Sequence, residues 1–127
     1  MGEDIKELCS KAITMYSSRC YKGNYDSGAL DSALELLEPH KELEQVIAAR
    51  LGLISFDIMV RRWHQVPGQI RIDELEKLAD EERKKLEGKE KPEYADNFAV
   101  YGLTKIVGKT SDKDIHRLKE EYLARFK

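Results

Sequence analysis

Cysteine, proline and tryptophan are scarce in this chain, with two, three and one among 127 residues. The scarcity of cysteine removes a class of protein. Cys9 and Cys20 stand eleven residues apart within one helical pattern, which at helical rise separates them by roughly 16 Å and forbids a bridge between them. A small secreted scaffold stapled by disulfides is therefore excluded. The three histidines, His40, His64 and His116, have no His or Cys three or four residues away, so the ligand spacing of a zinc site is lacking. Arg61 and Lys113 occupy the positions where a di-iron bundle would need Glu-x-x-His. No metal and no cofactor is expected. The Gly102 to Gly108 stretch has neither nucleotide-binding glycine pattern, and Gly108-Lys109-Thr110 lacks the upstream glycine and strand of a phosphate loop.

Long apolar runs are also absent. The Leu51 to Val60 stretch ends against Arg61 and Arg62, far short of the roughly 20 residues that a membrane span needs. Nor is there an excess of one charge: 22 Lys and Arg face 24 Asp and Glu, and on either side of Trp63 the balance stays even. Nucleic-acid binders usually carry a basic excess, because phosphate neutralisation dominates their affinity, so nucleic acid is the less favoured partner. Met1-Gly2-Glu3-Asp4 does not resemble a signal peptide, and Lys6 replaces the Ser or Thr of a myristoylation signal. Free thiols and no export signal point to the cytoplasm. With only five amide side chains beside abundant Lys and Glu, the composition is thermophile-like.

What remains is 41% hydrophobic and 36% charged, enough apolar material for one soluble domain spanning residues 1–127. Apolar residues recur at three-and-four spacing in six places. Ile5, Leu8, Cys9, Ala12, Ile13, Tyr16 and Cys20 predict a helix over 3–21; Ala29, Leu30, Ala33, Leu34 and Leu37 predict a second that Pro39 ends. The third, from Lys41 to about His64, is apolar almost all round in its middle, as expected of a helix enclosed by others. Gln65 to Gly68 is a turn signal, and Ile70, Ile72, Leu75, Leu78, Ala79 and Leu86 mark a fourth helix with Asp73 as its cap. Residues 88–92 are a mobile linker candidate. Tyr94, Phe98 and Leu103 mark a fifth helix ending near Gly108, and Ser111 opens a sixth bearing Ile115, Leu118, Tyr122 and Phe126. The expected fold is all-α, with about six helices in a compact antiparallel bundle or helical-hairpin stack. The tetratricopeptide pattern is not met: Met15-Tyr16 stands where its Leu-Gly pair belongs, and no second copy follows 34 residues on.

No catalytic motif is present, so no enzymatic activity is expected. The candidate site is on the third helix, where Arg50, Asp57, Arg61 and His64 fall within about 60° of one another at 100° per residue. Such a stripe either faces solvent, with Asp57 and Arg61 an ordinary i,i+4 pair worth about 0.3–0.5 kcal/mol, or lines a groove where the Arg side chains read a carboxylate or phosphate. Arg61, Arg62, Trp63 and His64 at the helix end join cations to an aromatic anchor. The expected role is a protein-interaction or adaptor module taking an apolar helix or extended peptide beside the third helix, with a homo-oligomer also considered. Charge reversal at Arg61 and Arg62 together is then expected to abolish binding and leave the fold intact. The alternative is a nucleic-acid-associated accessory subunit using the Arg61-Arg62-Trp63 cluster. A third reading, an enzyme built on Asp57 and His64, needs both in one enclosed pocket. Arg83, Lys84 and Lys85, interleaved with Glu81 and Glu82, are expected to form a solvated helix end.

Overall fold

The computed structural model describes residues 4–20, 26–63 and 65–87, together with positions 113, 116, 117, 120, 121 and 124. The described residues are helical and contain no strand. Among the residues described without a break, α-helices run in order as α1 (Ile5–Arg19), α2 (Ala29–Leu37), α3 (Glu44–Trp63) and α4 (Gln69–Lys85), with a 3-10 turn at Glu38–His40. The proposed linker 88–92 and fifth helix lie outside the described residues. Within the sixth segment, Lys113, His116, Arg117, Glu120, Glu121 and Ala124 are helical and exposed, whereas Ile115, Leu118, Tyr122 and Phe126 lie outside the described residues.

Local chemistry explains the boundaries. Asp4 caps α1 by accepting the Lys6 N–H at 2.9 Å, satisfying one of the donors a helix start leaves open. Pro39 cannot continue α2 and turns the chain through the 3-10 segment, so α3 begins at Glu44 and not at Lys41. The cap of α4 differs from expectation: Gly68, at φ 112°, is its N-cap, and Asp73 lies inside the helix, where it accepts the Gln69 side-chain N–H.

The end of α3 has a feature that hydropathy patterning does not reveal. The Val66 N–H donates to the Arg61 carbonyl at 2.9 Å and the Gln65 N–H to the Arg62 carbonyl at 3.2 Å. This is the six-to-one and five-to-two pairing of a Schellman motif, whose left-handed position usually holds glycine. Here Gln65 occupies it, at φ 53°. A Cβ in that region is unfavourable by about 1–2 kcal/mol, partly offset by glycine's greater unfolded-state entropy. Gln65→Gly is therefore expected to raise stability by about 0.5–1 kcal/mol, read as a Tm a few degrees higher; an unchanged or lower Tm would show that the left-handed backbone is not strained.

Side-chain pairings set the helix directions. Cys9 of α1 lies against the Gln45 carbonyl and Tyr16 against Asp57, so α1 and α3 run parallel. Arg50 meets Glu82 and Arg62 meets Glu76, so α4 runs antiparallel to α3. Arg71 near the start of α4 reaches Asp31 near the start of α2 at 2.8 Å. Neighbours along the chain thus alternate in direction, and α3 touches the other three. From Val46 to Arg61 every residue of α3 except Arg50 is buried. Around it pack Leu8, Cys9, Ala12 and Tyr16 of α1, Ala29, Leu30, Ala33 and Leu37 of α2, and Ile72, Leu75 and Ala79 of α4. No helix among the described residues is long and apolar enough to cross a membrane.

Candidate functional site

An enclosed helix that carries charge must find partners for it inside the protein, because a buried ion without them is far costlier than a buried hydroxyl. The α3 stripe does so in two separate networks. In the first, Asp57 has no solvent exposure and Arg61 only 5%. The Tyr16 hydroxyl donates to Asp57 Oδ1 at 2.7 Å and Arg61 Nε donates to Oδ2 at 2.8 Å. The Tyr16 ring is itself fixed, standing edge-on to Phe56 at 6.2 Å between centroids, the geometry that aromatic quadrupoles favour.

The second network lies about two turns toward the start of α3. Arg50 is poised between two carboxylates, with Nη1 3.6 Å from Glu38 and Nε 3.6 Å from Glu82. Glu38 is exposed and also holds Lys41 at 2.9 Å, whose ammonium keeps the Glu38 carboxyl below the ordinary glutamate range. Glu82 is buried, at 2% exposure, and its Oε1 is 3.2 Å from Lys85 Nζ. Glu82 Oε2, Arg50 Nε and the Ser55 hydroxyl are buried without a hydrogen-bond partner. The second network is therefore looser than the first.

These positions correct several expectations. The stripe is not the solvent face of α3, because the residues around it are covered by α1, α2 and α4. The Asp57–Arg61 contact is a buried pair with a third member, not an ordinary surface i,i+4 pair. With Arg61 committed to Asp57 and buried, charge reversal there would disrupt the fold and cannot serve as a clean test of binding. Glu82 does not belong to a solvated helix end; it continues the Ile72, Leu75, Ala79 stripe that faces α3. By contrast, Arg83 and Lys84 do lie exposed, paired with Asp80. Arg62 is exposed and donates to Glu76 at 2.8 Å. Trp63 ends α3, but its side chain and the whole of His64 lie outside the described residues, as do Tyr94, Phe98 and Tyr101.

Sequence reasoning missed Tyr16, Glu38 and Glu82. A signal existed for Tyr16, since a tyrosine on the same apolar stripe as two cysteines brings a hydroxyl that needs a partner once buried. Both cysteines are free and buried, as core filling requires. Burial pushes both thiols above their ordinary value; for Cys20 the Asp57 and Asp26 charges add to the rise, opposed by contacts with the Asp26 carbonyl and Tyr16. They stay protonated and unreactive near neutrality. The described surface includes a concavity of about 170 Å³ over Leu51, Glu76 and Ala79, and one of about 350 Å³ beside Glu38 to Leu43. Neither is lined by Asp57 or Arg61. No group of three or more His, Cys, Asp or Glu side chains that could hold a metal ion occurs among the described residues. No protein-family model, no curated protein and no solved structure matches this chain.

Proposed function

We propose that this chain is a small helical protein-interaction module without catalytic activity, working in the cytoplasm, with about six helices in an antiparallel bundle or hairpin stack. The observation that supports the reading is where the α3 charges go. Asp57 and Arg61 are engaged with each other and with Tyr16 inside the core, so the candidate reactive groups serve packing specificity, and recognition is left to the end of the molecule where α3 turns into α4. There Arg62 is exposed, and Pro67 and Gln69 lie open to solvent beside Ile70, which is 77% exposed. An exposed cation and an exposed branched side chain flanking the α3–α4 turn suit a protein partner with an apolar anchor point and an acidic rim.

The test is capture of the tagged chain and of an Arg62→Glu, Ile70→Asp variant from the native host. A stoichiometric protein should be retained by the parent chain and reduced about tenfold by the variant, with the circular dichroism spectrum unchanged. Equal capture by both overturns the placement. Nucleic acid that is lost steeply with added salt would instead support the accessory-subunit reading.

A further inference from the structure

We propose that α4 exchanges between two copies of this chain: the face of α3 that α4 covers is an interaction surface, and its occupant in a dimer is the α4 of a second copy. Three observations carry this. First, the charged centre of the α3–α4 seam gives little resistance to separation. Arg50 and Glu82 approach only to 3.6 Å, and each leaves a buried atom without a hydrogen bond. Both ions keep a partner when α4 departs, Arg50 with Glu38 and Glu82 with Lys85 of its own helix. Separation also returns both to water, relieving the desolvation that a buried pair carries.

Second, the connection is short and strained. Gln65 and Gly68 are both left-handed, and Gln65 carries a Cβ there; a short hinge under strain favours the open form, in which the strain is released. Third, complementarity is guaranteed by identity. Leu51 beside Ala79, Arg62 with Glu76, and Arg71 with Asp31 would all re-form between copies. The proposal is independent of the heterologous partner proposed above, because its occupant is the chain itself.

The experiment uses the purified 127-residue chain, unfolded and refolded at high concentration, with mass read by light scattering. A dimer is expected, its fraction raised severalfold by deleting Val66 and Pro67 and lowered by Gln65→Gly. Arg62→Glu and Glu76→Arg chains, given different masses and refolded together, should pair with each other about fivefold beyond the statistical ratio, because only exchange places each altered charge opposite its complement. Monomer alone, in the parent and in the shortened turn alike, overturns the proposal. Random pairing of the two charge variants also overturns it, since a dimer formed through any other surface keeps residues 62 and 76 paired within each copy.

Discussion

Asp57→Ala is expected to lower the unfolding free energy by about 3–5 kcal/mol, the loss typical when one member of a buried ion pair is removed, and to lower Tm by on the order of 10–20 °C. The substitution removes the group that accepts from both the Tyr16 hydroxyl and Arg61 Nε, and neither donor has water to turn to: Tyr16 is fully buried and Arg61 nearly so. The cost therefore comes mainly from what is left behind and less from the attraction lost. A companion variant separates these. Tyr16→Phe, Asp57→Leu and Arg61→Met together remove all three of these polar groups, and replacement of a buried ion pair and its hydrogen-bond partner by apolar side chains of similar volume is often neutral or better. The triple variant should regain most of the lost stability. Urea unfolding of the two proteins decides the matter, and a loss below about 1 kcal/mol for Asp57→Ala would mean that the network is hydrated in solution.

The Arg50–Glu82 pair should behave with the same sign logic but a different balance. Arg50→Met leaves the Glu82 carboxylate at 2% exposure with only Lys85 beside its Oε1, and a loss of about 3 kcal/mol is expected. Arg50→Met combined with Glu82→Leu should return to the parent stability or exceed it by about 1 kcal/mol or more, because the pair is made at 3.6 Å and leaves Glu82 Oε2 and Arg50 Nε without hydrogen bonds. The double-mutant cycle then yields a large coupling energy between residues whose joint removal costs nothing. A double variant as unstable as the worse single would show that the pair is a net stabiliser. The contrast with Asp57 comes from geometry: one carboxylate has a hydrogen bond on each oxygen at under 3 Å, the other has one oxygen without any.

Much of this was legible beforehand. Leu8, Cys9, Ala12 and Tyr16 of α1 with Cys20 at its C-cap, and Leu30, Ala33 and Leu37 of α2, repeat at three-and-four spacing and all are buried. The stop at Pro39 and the turn after α3 also stand where the residues place them. The periodicity of α3 was legible only as enclosure, since a helix that is apolar nearly all round does not say which neighbour takes which face. The spacing puts Arg50, Asp57 and Arg61 on one stripe of α3 that faces a groove or solvent, whereas Arg50 and Asp57 turn to different neighbours, one toward α4 and the α2–α3 turn and the other toward α1.

What the sequence by itself determined, then, is what depends on residues within a turn or two of each other: helical periodicity, the apolar stripes and termination at Pro39. The tertiary structure decided the fate of the polar residues. Tyr16 and Asp57 are 41 positions apart and Arg50 and Glu82 are 32 apart, and only the packing of α1 and α4 against α3 brings them together. Whether a carboxylate in an apolar helix is tolerated inside or driven to the surface depends on whether a donor waits across the interface, and no local pattern records that.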